Sequence, residues 1–347
     1  MVNPFIEIEG IKIGENYPPL IIPEIGINHG GKLETAIKMV DSAKKAGAKI
    51  IKHQTHIPDD EMSEEAKKVK PGNSSSDIYS IINKCSLSEE NEFKLYAYVK
   101  SKKMIFLSTP FSKKAVDRLI KFKVNAFKIG SGEFNNLPLL KYVCKFKKPL
   151  ILSTGMHDIK SVKLINSYLS RLGVKYAFLH TTSLYPTPDH LVRLNAITEL
   201  KKNFPKIVVG YSDHTLCETA CFSAISIGAS IIERHFTDHR KRRGPDIICS
   251  MDHKGLKNLI EKSTKIFNQK KGNKSYLTEE KVTRKFAFVS VVSERTIKKG
   301  ERLTRNNLWV RKPGTGDFSG KDLKFLYGKK SSKDIRKNTQ IKKHHIS

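Results

Sequence analysis

Two histidines set the chemistry this chain could perform. His214 lies in SDHT, just past the apolar run KIVVG, and His235 ends the following run in ASIIERHF. Two convergent imidazoles are enough to begin a divalent-metal site if carboxylates, water or substrate complete the shell. Two lysines occupy comparable places after other apolar runs, Lys52 in KIIKHQT and Lys128 in NAFKIG. Hydroxyls accompany them at Thr109, Ser131, Ser153, Ser183 and Ser212, with Gln54 and Tyr185 close by. In KIGSGE a lysine supplies a point charge, glycines bring backbone N–H groups close and a serine adds a donor, a combination suited to phosphate. Glu24, Glu133 and Asp246 are the carboxylates able to handle protons or bind a polyol.

Taken singly, each of these residues has a plainer role. Histidines at strand ends are more often satisfied core or rim groups, a charge there is usually solvated, and Ser or Thr there usually caps a helix. Taken together they describe a phosphorylated small molecule meeting a carbonyl, with the metal polarising the carbonyl oxygen as a Lewis acid. The residues alone reach as far as a metal-assisted aldol-like or phosphoryl reaction.

The elements that must position these groups are repeated β-then-α units. Strands are expected at 21–27, 49–55, 104–109, 125–130, 149–154, 176–181, 206–212 and 230–236, with amphipathic helical stretches such as LETAIKMVDSAKKAG, KKAVDRLIKF and TLCETACFSAISIG between them. Eight such units predict an α/β fold, a (β/α)8 TIM barrel with its chemistry where strands end. The competing doubly wound sheet often carries a GxGxxG loop after its first strand, and that loop is missing here. Segment 57–87, which includes VKPGNSSS, is too long for a plain βα turn and is expected to lie as a loop over the catalytic face. The barrel is assigned 1–270, a polar, basic linker 271–284, and a small β-rich domain 285–347 containing Trp309, the sole tryptophan. A domain of that size has a marginal core and is expected to pack on a partner surface.

Composition bounds the rest. No apolar run approaches the ~20 residues that span a bilayer, and MVNPFIEIEG lacks the pattern of a secretory signal, so a cytoplasmic protein is expected. The five cysteines include no CxxC pair; Cys217 and Cys221, one helical turn apart, are expected to be buried thiols. The net charge of +30 is spread along the chain with no nucleic-acid-binding signature beside it. A nucleic acid is therefore not the expected partner, and a non-catalytic polyanion-binding barrel is the remote rival.

The ordered set PEIGINHGG, AKIIKHQTH, LSTPFS, FKIGSGE, LSTGM, TTSLYPTP, GYSDHT, ERHFTD and GPD resembles the motifs of bacterial sialic acid (N-acetylneuraminate) synthases. The segment IKKGERLTRNNLWVRKPGTGDFSG resembles their C-terminal antifreeze-like (SAF) domain. The resemblance implies a homodimer in which each SAF domain caps the partner's site, and condensation of phosphoenolpyruvate with N-acetylmannosamine. It implies that His214 and His235 bind Mn²⁺ or Mg²⁺ and that Lys52, Thr109, Lys128, Ser131, Ser153, Ser183 and Ser212 hold phosphoenolpyruvate. Glu24, Tyr185 and Asp246 would then hold the sugar with Gln54 nearby, and Glu133 would guide water. Two positions depart from the pattern. Ser183 stands where many members have Asn, and Lys312, preceded by Arg311, stands where many have the Arg that reaches the sugar's acetamido group. A lysine cannot reproduce the guanidinium fork, so the resemblance also admits a legionaminic or pseudaminic acid synthase acting on a 2,4-diacetamido trideoxyhexose.

Overall fold

An antiparallel hairpin precedes the first expected strand. Phe5–Ile8 (β1) and Ile11–Gly14 (β2) pair around Glu9 and Gly10, whose φ angles are +46° and +80°. A two-residue loop with both φ positive matches the twist of the strands it joins. Ile6, Ile8 and Ile13 of this hairpin pack into a cluster with Leu20, Ile22, Ile50, Leu107, Ile151 and Leu179, closing one end of the sheet described next.

The computed structural model describes residues 3–71 and 75–347, in two units, Met1–Lys271 and Gly272–Ser347. In the first, the strands are Leu20–Gly26 (β3), Ile50–Thr55 (β4), Ile105–Pro110 (β5), Phe127–Ile129 (β6), Leu150–Ser153 (β7), Tyr176–Thr181 (β8), Val208–Asp213 (β9) and Ile231–His235 (β10). Each pairs in parallel with the next, and β10 closes on β3 to make a barrel, which excludes the doubly wound sheet. Helices follow the strands as a barrel requires. Leu137–Cys144, Ile159–Leu172 and His253–Gln269, which no quoted sequence pattern singled out, complete the units. Their starts are marked by Asn136, Asp158 and Asp252, whose side chains accept the N–H three residues on.

Alternation along the strands decides what enters the barrel. On β4, Ile50 packs in the inner cluster while Ile51 packs outward against the helices, so Lys52 and Gln54 share the face of Ile50. The same parity carries Leu107 to Thr109, Ala126 to Lys128, Ile151 to Ser153, Leu179 to Thr181, Val208 to Ser212 and Ile231 to Glu233 and His235. The barrel is therefore apolar at the hairpin end and polar at the strands' C-terminal ends.

Three expectations are corrected. Segment 57–87 is partly helical: its described part carries Pro58–Glu61 and Ile78–Cys85, and Ile82 and Cys85 pack with Ile27, while residues 72–74 of VKPGNSSS lie outside the described residues. Cys221 is buried but Cys217 is exposed, because it precedes the helix Thr219–Ser226 instead of lying on its inner face. The stretch read as linker leads into a helix, Lys281–Ala287, that belongs to the second unit. Beyond it, Ser290–Ser293 (β11) pairs antiparallel with Leu308–Arg311 (β12) over a core of Val291, Ile297, Leu303, Leu308, Phe318, Leu326, Ile335 and Ile341. Trp309 is exposed and takes no part in that core.

Candidate active site

A cavity of about 370 Å³ opens at the C-terminal ends of the barrel strands. It is lined by Lys52, Gln54, Thr109, Lys128, Ser131, Ser153, Ser183, Tyr185, Ser212, His214 and His235, so these expected residues are brought together. Lys128 donates to Ser153 Oγ at 2.6 Å and to the Ile129 carbonyl at 3.0 Å. Lys52 is ion-paired with Glu24, which lies buried behind the cavity.

Glu233, which the motif reading passed over, joins the two lysines. Its Oε1 lies 3.9 Å from Lys52 Nζ and 3.7 Å from Lys128 Nζ, and accepts the Ser212 hydroxyl at 3.0 Å. The signal was in the sequence: Glu233 precedes His235 by two residues on one strand and so must share its face. Burial works against both lysine charges. For Lys52 the carboxylates of Glu233 and Glu24 outweigh it and raise the pKa. For Lys128 burial dominates, aided by Lys52 and only partly offset by Glu233, and the pKa falls to about 8.

The imidazoles form a second cluster. The rings of His214 and His235 are 5.4 Å apart, with the Tyr185 ring 4.1 Å from the first and 5.9 Å from the second. Burial lowers both histidine pKa values to about 4, with each kept neutral at physiological pH. His214 Nδ1 donates to the Thr182 carbonyl at 2.8 Å, which fixes the tautomer and leaves the lone pair on Nε2. His235 Nδ1 is buried with no hydrogen-bond partner and lies 3.8 Å from Asp246 Oδ2. Neutral rings with available lone pairs are the state in which histidine ligates a metal. Among the described residues no group of three or more His, Cys, Asp or Glu is arranged around one point.

Further unpartnered polar atoms surround the cavity. Thr109 Oγ1, Glu24 Oε1 and Glu233 Oε2 are buried without a hydrogen bond. Since buried polar groups are ordinarily satisfied, their grouping here marks a place shaped for a polar ligand. Gly155 belongs to the same construction: a Cβ there would stand 2.4 Å from Ser183 Oγ and 2.7 Å from Ser131 Oγ, and its N–H donates to Ser131 Oγ at 3.1 Å.

The remaining expected residues lie off the cavity wall. Asp246 is partly buried on the loop after β10 and has a pKa raised by burial. Glu133 sits on the turn after β6, accepts from Asn136 Nδ2 at 2.5 Å, and is likewise raised by burial. In the second unit, Arg311 is engaged by Glu294 and Asn338, while Lys312 is exposed beside a cis peptide bond to Pro313.

A closed parallel barrel whose mouth holds buried lysines, hydroxyls and neutral histidines belongs to the class of barrel enzymes that handle small anionic substrates. Comparison with known proteins makes this particular. Residues 39–276 match the NeuB family and residues 288–347 the SAF domain, and the chain belongs to the NeuB, or sialic acid synthase, family. Enzymes of this family condense phosphoenolpyruvate with amino sugars. The chain is 34% identical to N,N'-diacetyllegionaminic acid synthase of Campylobacter jejuni, over 93% of this chain and 98% of the relative. It is 33% identical to the enzyme of the same name from Legionella pneumophila, covering 98% of both chains. Among solved structures, an N-acetylneuraminic acid synthetase from Leptospira borgpetersenii superposes with a TM-score of 0.74 at 28% identity, over 81% of this chain and 95% of that one.

Proposed function

We propose that this protein joins C3 of phosphoenolpyruvate to the aldehyde carbon of an open-chain N-acetylated amino sugar. As that bond forms, water adds at C2 of the enolpyruvate, and the bond between C2 and the bridging oxygen breaks to release inorganic phosphate. The observation that carries this reading is the pair of buried lysines set among hydroxyls in one cavity, with Thr109 Oγ1 buried and unpartnered beside them. Lys52 and Lys128 hold the phosphate and carboxylate and favour the departing dianion, which is stabilisation by charges fixed before the reaction begins. Thr109, Ser131, Ser153, Ser183 and Ser212 orient the enolpyruvate. Gln54 and Tyr185 line the sugar's side of the cavity, and Glu24 behind Lys52 and Asp246 beside His235 are the carboxylates assigned to the sugar's hydroxyls. Glu133, its carboxyl made more basic by burial, accepts the proton of the attacking water. His214 and His235 would hold a Mn²⁺ or Mg²⁺ ion, which when bound supplies a Lewis acid for the aldehyde oxygen.

The diacetamido trideoxyhexose is favoured as acceptor over N-acetylmannosamine by the names of the two curated relatives and by Lys312 at the position of the acetamido-binding arginine. The SAF domain is proposed to cap the site of a second copy in a homodimer. No helix among the described residues is long and apolar enough to cross a membrane, and five free cysteines suit a reducing cytoplasm. Incubation with phosphoenolpyruvate, Mn²⁺ and each sugar in turn, following phosphate and product mass with a chelator control, tests the reading. Chelator-sensitive turnover with the diacetamido sugar supports it, turnover only with N-acetylmannosamine reassigns the acceptor, and no turnover with either sinks it.

A further inference from the structure

Among the described residues the largest fully buried side chain is an arginine that the cavity does not contain. Arg234 lies on β10 between Glu233 and His235, and by strand alternation its side chain leaves the barrel on the outer, helix-facing side. Its cross-strand partner in register is Asp213 on β9, the residue before His214. Arg234 Nη1 donates to Asp213 Oδ2 at 2.9 Å, and both side chains are at most 1% exposed. The guanidinium also donates to two backbone carbonyls of the loop that follows β9, those of Thr215 (2.7 Å) and Cys217. Asp213 in turn accepts from the Tyr211 hydroxyl at 2.9 Å, from the Thr215 N–H at 3.0 Å and from the Thr215 hydroxyl at 3.1 Å.

His214 is thus flanked on both sides by residues tied to one buried guanidinium, and His235 is the residue next to that guanidinium on the adjoining strand. We propose that Arg234 and Asp213 are positioning residues that set the spacing of the His214 and His235 rings by wrapping the loop after β9 around the Arg234 side chain. The pair touches neither cavity nor substrate. A planar fork is what the arrangement requires: one nitrogen serves the carboxylate and a carbonyl while the other serves a second carbonyl, a division a lysine ammonium cannot make from one point. Carbonyls at 215 and 217 held in this way leave the backbone at 214 little freedom to turn. The His214 carbonyl is itself held, accepting the Thr187 N–H at 2.9 Å. The two walls of the cavity should therefore respond differently to loss of the pair, since Lys52 and Lys128 are held by Glu24, Glu233 and Ser153 without it.

The proposal rests on the reading of His214 and His235 as the metal-binding pair. Its test uses full-length protein stripped with chelator, Mn²⁺ titrated by electron paramagnetic resonance, and phosphoenolpyruvate binding measured separately by calorimetry. Arg234→Lys is expected to weaken Mn²⁺ at least tenfold, to leave phosphoenolpyruvate affinity within about threefold, and to recover turnover at high Mn²⁺. Thr215→Val, which removes the hydroxyl that lies 3.1 Å from Asp213 Oδ2 and 2.8 Å from the Cys217 carbonyl with little change in volume, is expected to weaken Mn²⁺ about threefold and decides the matter if Arg234→Lys does not fold. Wild-type Mn²⁺ affinity in folded Arg234→Lys, or in Thr215→Val where the first variant fails, overturns the proposal. His214→Ala separates it from the reading beneath: undiminished Mn²⁺ binding in that variant would show that the metal pair itself is misassigned.

Discussion

Replacing Gly155 by alanine separates the hydroxyls proposed to hold phosphoenolpyruvate from the fold. The added methyl would meet Ser183 Oγ at 2.4 Å, Thr181 Cγ2 at 2.5 Å and Ser131 Oγ at 2.7 Å. Two of these atoms are hydroxyls that can rotate away. The third belongs to a side chain held by the hydrogen bond from Thr181 Oγ1 to the Ser212 carbonyl at 2.6 Å. Overpacking of this kind costs about 1–3 kcal/mol of stability, which a barrel of this size should survive. The functional cost is separate. A hydrogen bond to a charged group contributes roughly 1.5–3 kcal/mol, so if one serine is displaced from an anionic group of phosphoenolpyruvate, binding should weaken roughly 10- to 150-fold. Calorimetric titration of phosphoenolpyruvate in the absence of sugar, beside thermal unfolding of the same samples, measures both. An affinity within threefold of wild type in folded protein would refute the assignment of Ser131 and Ser183 to phosphoenolpyruvate.

Other expectations follow from the charges and from the second unit. If Lys128 holds phosphoenolpyruvate it must do so protonated; with its pKa lowered to about 8, kcat/KM for phosphoenolpyruvate should fall with unit slope above that pH. A pH–rate profile extended to 9.5 with no such limb would contradict this. Burial alone would raise the pKa of Glu92, but His53, Thr55 and Arg118 outweigh it and hold it below the usual value of 4.5. The carboxylate therefore contributes stability that is complete above that value and is lost as pH falls through the lower, folded one. Arg118 Nη1 donates to Glu92 at 2.8 Å, and Arg118→Met should cost about 3–5 kcal/mol in chemical denaturation at pH 7 by stranding the buried carboxylate. Mixed dimers of His214→Ala and Lys312→Ala chains should regain one working site if each SAF domain serves its partner's barrel, and none if each serves its own.

What the sequence revealed depended on whether a signal was local. The barrel strands were legible because apolar β-rich runs recur with helices between them, and parity along those runs already aims Lys52, Lys128, Ser153 and Ser212 inward. The hairpin was also written locally, in the alternating IEIEGIKI, but stands before the repeat that drew attention. Glu233 was hidden by its neighbours, since ERH reads as one motif although only its first and third residues enter the cavity. Arg234 could not be read at all. Its burial is made possible by Asp213 and by two backbone carbonyls that become its neighbours only when β9 and β10 pair. Cys217 was misjudged for a related reason: helical spacing from Cys221 means nothing until the start of the helix is known.

The central claim is that the lysine-lined cavity expels phosphate by breaking the bond between carbon and the bridging oxygen. Phosphoenolpyruvate labelled with ¹⁸O at that bridging atom tests it directly, with an acetamido sugar as acceptor and mass spectrometry of both products. The account predicts the label in inorganic phosphate and none of it in the new sugar acid. Label retained in the sugar acid, with phosphate unlabelled, would mean cleavage at phosphorus and would contradict it.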